Sequence, residues 1–309
     1  FRKLMVDSEP KQVEAVVEFA SEAYRRPLTE SDAANLRALY RKLRAEEISH
    51  EDAIGMTMAR ILSSPAFLYR MENAPDGANA GPVSSWELAT RLSYFLWSSV
   101  PDEELRRVAR EGRLTNSDVL VGQARRMIRD PKVRPLAVEF GCQWLHIHGF
   151  DELDEKSERH FPEFAQLRQT LYEEPIRFFT DFFQENRSIL NVLDADYTFV
   201  NKQLADFYKI PNVEGDEWRR VDRAKGYSRG GALAFASTLA KQSGASRTSP
   251  ILRGNWIMEV LLGEKLPRPP KDVPVLPDED NGTSGLTVRQ LVEKQIRLCL
   301  RLLLRILRR

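Results

Sequence analysis

Apolar residues recur at helical spacing along most of this chain. In "PKQVEAVVEFASEAYRRP" the residues Val13, Val16, Val17, Ala20 and Tyr24 fall on one face of a helix, the signature of an amphipathic element. The next segment, "LTESDAANLRALYRKLRAEE", repeats the pattern with Leu36, Leu39, Tyr40 and Leu43. It opens with Thr29-x-x-Asp32, the spacing at which two side chains each satisfy the other residue's free N–H. A third helix is predicted from Ser49-x-x-Asp52, with Ile54, Met58, Ile61 and Leu62 inward. Short connections make these three a small helical module.

Residues 73–84, "NAPDGANAGPVS", are poor in large apolar side chains and read as a linker or long surface loop. Periodicity resumes in "SSWELATRLSYFLWSSVPDEEL", opened by Ser84-x-x-Glu87, with Ala89, Leu92, Phe95 and Leu96 predicted inward. Asp102 and Glu103 suit the first turn of the following helix. Thr115-x-x-Asp118 predicts the start of another through Leu120, Ala124, Met127 and Ile128. Asp130-Pro131 opens one more through "VRPLAVEFGCQWLHIH".

The stretch 163–185, "EFAQLRQTLYEEPIRFFTDFFQE", reads as a helix kinked at Pro175. Its acids Glu173, Glu174, Asp181 and Glu185 read as a solvated face. Strand patterning is almost absent, and the best candidate is "EWRRVDR" at 217–223. From 226 the texture changes to Gly-rich turns, two helices and a proline-rich extended segment. The fold class expected is mainly α, a multi-helical protein of two to three small helical domains with a C-terminal proline-rich strap. The boundaries expected are 1–72, 84–212 and 226–292, with 293–309 standing apart as an aberrant Arg/Leu tail.

With 309 residues, 42% hydrophobic and 29% charged, the composition is that of an ordered globular protein. No apolar run reaches the length of about eighteen residues that a transmembrane helix needs, so no span is predicted. Net charge is +1, of which the five Arg from Arg297 onward are all positive, so residues 1–296 carry −4. That mildly acidic body argues against nucleic acid as a partner. The only two cysteines, Cys142 and Cys299, support no disulfide framework. The opening "FRKLMVD" has neither a signal-peptide pattern nor an initiator Met, so a targeting segment is expected upstream.

Catalytic signatures are lacking. There is no Walker A loop and no G-x-G-x-x-G after a strand. Gly244-Ala-Ser246-Arg-Thr248 comes nearest to a nucleophile elbow, without its second Gly or its preceding strand. The four histidines are His50, His146, His148 and His160. Glu47-x-x-His50 occurs once where a di-iron bundle needs the motif twice. His146 and His148, two apart, splay on a helix and read as a helix-end pair. No metal site is predicted and no catalytic residue is assigned. Cys142 reads as a small core residue, and Trp86, Trp97, Trp144 and Trp256 occupy core positions of helices.

One string has a physical case for binding. In "SRTSPILRGNW" either Thr248 or Ser249 can cap a helix with Pro250 in its first turn, flanked by Arg247 and Arg253. A phosphate, sulfate or carboxylate would be well received there. The plainer reading, favoured on the sequence, is an ordinary cap whose Arg side chains tie neighbouring loops.

Six strings in order, "AYRRPLTESD", "ILSSPAFLYRME", "ELATRLSYFLWSSVPDEEL", "RMIRDPKVRPLAVEFGCQWL", "DADYTFVNKQLADFYKI" and "SRTSPILRGNWIMEVLLG", resemble planctomycete-type cytochrome-linked secreted proteins. That family is built of consecutive domains of unknown function, and the resemblance covers roughly residues 18–292. It implies three helical domains and an extracytoplasmic location, periplasmic or secreted. It also implies a haem-bearing domain or redox partner and a role in redox chemistry or electron transfer.

In the family the strap leads to a His and then a C-x-x-C-H haem-attachment segment. Here "LTVRQLVEK" is followed by "QIRLCLRLLLRILRR", so this chain is expected to hold no cofactor, with haem c on segments it lacks. The abrupt composition reads as a frameshift product. A native tail, with Arg297, Arg301, Arg305 and Arg309 along one side, would instead adhere to membrane surfaces. Two other functions are carried as alternatives. One is a non-catalytic scaffold or binding protein for anionic cell-surface polymers. The other is a glycan- or ester-cleaving enzyme, which needs converging carboxylates in a deep pocket.

Overall fold

A computed structural model describes residues 2–70, 72, 81–266, 287, 289–294 and 296–297, with side chains from Ser8 onward. The proline-rich stretch from Pro267 and the tail from Leu298 lie outside the described residues, as does most of the linker expected at 73–84. The protein is mainly α, as the periodicity predicts, and the described residues contain one two-stranded sheet. The chain forms two compact units, Phe1–Leu136 with Phe183–Glu185, and Ala137–Phe182 with Asn186 and the residues after it.

The first unit begins with α1 (Arg2–Ala23), α2 (Glu30–Ala45) and α3 (His50–Leu62), which bury Val16, Val17, Ala20, Ala23, Leu36 and Ile61 together. Both halves of the predicted cap of α2 form. Thr29 Oγ1 accepts from the Asp32 N–H at 3.0 Å, and the Asp32 carboxylate accepts from the Thr29 N–H at 3.1 Å. Ser49 caps α3 through the Asp52 N–H, but its hydroxyl donates to the Asp52 carboxylate, so the backbone half of that box is missing.

The inward face of α3 also differs from expectation. Ala53, Thr57 and Ile61 are buried, while Met58 and Leu62 are exposed. Thr57 can be buried because its hydroxyl donates to its own helix at the Ala53 carbonyl, 2.7 Å away.

A short turn, α4 (Pro65–Leu68), leads to the rest of the unit: α5 (Ser85–Trp97), α6 (Glu103–Arg110), α7 (Ser117–Arg129) and α8 (Arg134–Leu136). Their core includes Leu96, Trp97, Leu105, Leu114, Met127 and Val133. Phe95 is 65% exposed, against expectation. The buried face of α5 runs through Ala89, Ser93, Leu96 and Trp97, and the Trp97 Nε1–H donates to the Met127 carbonyl at 2.9 Å. Anchoring that ring rotates Phe95 outward. The cap of α7 lies one residue later than predicted. Asn116 Oδ1 accepts from the Asp118 and Val119 N–H groups, whereas the Thr115 hydroxyl donates to the Gly112 carbonyl.

The buried cation of this unit is Arg25, in left-handed conformation at φ 59° and 5% exposed. Its guanidinium donates to the carbonyls of Ala23, Ala66, Phe67 and Tyr69 at 2.8–3.2 Å and to the Tyr94 hydroxyl at 3.5 Å. The end of α1, the α4 turn and α5 are thereby tied to one side chain.

The second unit opens with a π-helical turn, Ala137–Cys142. Gly141 admits the Phe179 ring there, since a Cβ at this position would lie 2.7 Å from ring carbons. Next come α9 (Phe164–Gln184), α10 (Asn191–Asp194), β1 (Tyr197–Val200), α11 (Lys202–Tyr208), β2 (Arg219–Asp222), α12 (Ala236–Lys241) and α13 (Pro250–Trp256). The predicted strand is β2. Its antiparallel partner β1, paired from Tyr197↔Asp222 to Val200↔Arg219, was not expected from the sequence. An aromatic core of Phe178, Phe179, Tyr197 and Phe235 fills the space beneath, with Phe178 stacked on Tyr197 at 5.3 Å between centroids.

Candidate functional site

The acids around Phe178 and Phe179 do not form one solvated face. Glu173 pairs with Arg177 and Asp181 with Arg187, each on its own helix or just beyond it, and Glu185 is exposed. Glu174 is 1% exposed, which corrects the reading of these four residues as a solvated group. Leu167, Leu171, Glu174 and Phe178 are all buried and recur at the spacing of one helix face. Glu174 therefore points where a leucine would normally point.

Three other elements supply its surroundings. Thr198 on β1 donates through Oγ1 to Glu174 Oε1 at 2.5 Å. Tyr208, the last residue of α11, donates through its hydroxyl to Oε2 at 2.5 Å. The Tyr208 oxygen in turn accepts from the Ala236 N–H at 3.2 Å, where α12 begins. Arg229 lies 4.0 Å over the Tyr208 ring and donates to the Ala234 carbonyl.

Burial pushes the Glu174 carboxyl up to about 7, against the opposing pull of the Thr198 and Tyr208 hydroxyls and the Arg229 charge. Burial and the neighbouring carboxyl likewise push the Tyr208 phenol well above its ordinary value. The phenol accordingly stays protonated and acts as the donor. The cluster is enclosed, with Thr198 fully buried and Tyr208 5% exposed. Its chemistry is that of a group that holds or releases a proton.

The loop carrying Arg229 docks through glycines. Gly230 (φ 104°) and Gly231 (φ 75°) press against the backbone of Ala195 and Leu193, and a Cβ on Gly230 would lie 2.2 Å from the Ala195 oxygen. The Ala232 N–H then donates to the Val192 carbonyl at 2.6 Å. Only glycine combines that backbone twist with so close an approach. Of these residues the sequence reading singled out only Glu174, and misread it. Thr198 sits in a four-residue strand too short to show a period, and Tyr208 and Arg229 carry no local motif.

The candidate anion-binding residues Arg247, Thr248, Ser249 and Arg253 lie at and just before α13. Ser249 caps α13 by accepting from the Leu252 N–H at 3.2 Å, and Thr248 forms an isolated bridge with Ser243. Arg253 turns back along the fold, its Nη2 donating to the Leu239 carbonyl at 3.4 Å, and burial lowers its basicity. Arg247 is half-buried beside Thr248. The loop at Gly244 is held from outside the motif. Lys156 Nζ donates to the Ser243 carbonyl at 2.8 Å, and to the Ser243 hydroxyl and the Gly244 carbonyl at 3.2 Å. The Ser157 N–H donates to the Ala245 carbonyl.

His146 ends its helix in left-handed conformation, φ 59°, and the His148 Nε2 lies 3.8 Å from Glu139. Among the described residues no three His, Cys, Asp or Glu side chains gather into a metal-binding group. Cys142 is fully buried, and Trp256 Nε1–H donates to the Leu145 carbonyl three residues further on at 3.0 Å. Covalent haem attachment through C-x-x-C-H needs two thiols separated by two residues and a His directly after the second. Cys142 and Cys299, 157 positions apart in a chain whose last His is His160, do not fit it.

Three family models match the chain in succession. PSD5, a protein of unknown function (DUF1595), matches residues 13–72. PSD4, a protein of unknown function (DUF1592), matches 83–210. PSCyt3, a protein of unknown function (DUF1588), matches 229–299. Neither a curated protein nor a solved structure matches. No helix among the described residues is long and apolar enough to cross a membrane.

Proposed function

Since the chain belongs to the planctomycete cytochrome-type family of consecutive domains of unknown function, we propose that it is the helical portion of an exported, c-type-cytochrome-linked protein. It supports redox chemistry or electron transfer outside the cytoplasm, with haem carried on other segments or on a partner. The observation that carries this reading is the ordered succession of the three matches over 13–72, 83–210 and 229–299. The third of these models bears the cytochrome designation in its printed name.

The residues of this chain contribute framework to that function. The two most deeply buried charged side chains described above, Arg25 and Glu174, both hold helices and loops together. The test is purification of the protein encoded by the complete gene from an extracytoplasmic fraction, followed by visible spectroscopy with and without reductant. A c-type haem spectrum that changes on reduction is expected. A haem-free protein that neither takes up electrons nor binds a haem protein overturns the reading in favour of a non-catalytic scaffold.

A further inference from the structure

We propose that Glu174 is a proton-operated lock of the second unit: protonated, it fastens α9 to β1 and α11, and ionised, it loosens them. The geometry supplies the asymmetry. The Tyr208 oxygen already accepts from the Ala236 N–H, so its own proton goes to Glu174 Oε2. On the other side Thr198 Oγ1 and Glu174 Oε1 lie 2.5 Å apart; a neutral carboxyl places its own proton in that contact, with the Thr198 hydroxyl turned from donor to acceptor, so the acid adds no charge to the cluster.

The groups facing Glu174 are Thr198 from β1, Tyr208 from α11, and Arg229 with the Ala236 N–H from the loop entering α12. Arg229 is the one charge among them, and its Nη1 is turned to the Ala234 carbonyl while its guanidinium stacks on Tyr208. Ionised, Glu174 would be a buried carboxylate bound to two hydroxyls without a direct ion pair, a costly arrangement. Its upward displacement to about 7 from burial agrees with this.

The sign follows from proton linkage. Between the ordinary carboxylate value of 4.5 and about 7 the folded state binds a proton that the unfolded state has released. Stability from this site is therefore complete below 4.5 and is lost as pH rises through 7.

The experiment is urea unfolding of the full chain and of Glu174→Gln across about pH 5 to 8, with hydrogen exchange of the β1 amides as a second readout. Titrating histidines affect both proteins alike and cancel in the comparison. The wild-type unfolding constant is expected to rise by roughly two orders of magnitude more than that of Glu174→Gln over this window, with β1 exchange accelerating in parallel. Parallel pH profiles for the two proteins overturn the proposal. Should Glu174→Gln fail to fold, infrared titration of the wild type decides. A protonated carboxyl band persisting at about pH 6 and lost above about pH 7 supports the lock, and its absence at about pH 6 sinks it.

Discussion

Among the described residues, each of the two compact units buries one charged side chain, and they accommodate it in opposite ways. Arg25 keeps its charge, as a guanidinium does in proteins, and is solvated by four backbone carbonyls and the Tyr94 hydroxyl. Glu174 meets two hydroxyl donors, and burial drives it toward the neutral form. Carbonyl oxygens at the end of one helix and around a short turn are ready-made acceptors, already short of donors. A cation placed among them supplies what the backbone lacks. The carboxyl instead sits on the inward stripe of a long helix, where its own backbone is already paired, and its donors come from other elements: the Thr198 and Tyr208 hydroxyls, with the Ala236 N–H beside them. The two sites thus differ in what answers the buried group: unpaired backbone carbonyls around Arg25, and hydroxyl side chains around Glu174.

Removing the cation should be the most damaging change. Arg25→Ala leaves four carbonyls without their donor and is expected to cost on the order of 4 kcal/mol, read by denaturant unfolding and by faster hydrogen exchange in the first unit. Arg25→Lys should recover less than half of that, because an ammonium cannot span the fork. Full recovery would show that charge matters and geometry does not. Next comes backbone fit. Gly230→Ala, which combines a positive φ with a contact against Ala195, should cost about 3 kcal/mol or more. Gly112→Ala, also at positive φ but in open space, should cost about 1 kcal/mol. Equal losses would mean that the docking of the Gly230 loop contributes nothing.

Tyr208→Phe deletes both the donor to Glu174 and the acceptor of the Ala236 N–H and should cost about 2 kcal/mol. It also removes a bond that favours the ionised acid, so the pH at which stability is lost should move upward. A downward move would contradict the hydrogen-bond assignment. The smallest effects belong to the two indole clasps. Trp97→Phe and Trp256→Phe each lose one hydrogen bond, to the Met127 and Leu145 carbonyls. Each should cost about 1 kcal/mol, one in each unit, and thermal unfolding followed by tryptophan fluorescence separates them.

The helices and their starts were legible in the sequence because capping and periodicity are local. Thr29 with Asp32 and Ser84 with Glu87 form the boxes their spacing predicts. Where two adjacent residues could cap, as at Thr115 and Asn116, the sequence could not choose. The amide oxygen that reaches two N–H groups prevailed. Phe95 and Met58 were misplaced because periodicity locates a stripe only to within one residue, and the anchored Trp97 and the self-satisfied Thr57 shifted it.

Glu174 was hidden for a different reason. An acid counts as polar in any hydrophobic pattern, yet its register with Leu167, Leu171 and Phe178 placed it inward. The signal was the register and not the residue type. Its partners come from β1, α11 and the start of α12, 24 to 62 positions away in sequence, and no local pattern could have assembled them. The proline-rich stretch from Pro267 and the tail from Leu298 lie outside the described residues. The family succession was readable because six separate strings carry it.

Lys156 gives the second unit a built-in chemical footprint. All three of its ammonium protons are directed at the Ser243 and Gly244 oxygens, and burial lowers its basicity. An amine held in this way has no lone pair to offer an acylating reagent until the Ser243 turn lets go. Its modification rate, followed by mass spectrometry against that of the exposed Lys42, would therefore time the opening of that turn without any mutation or label. Once acylated, the nitrogen keeps one proton and no charge, so it could restore at most one of its three contacts to the turn.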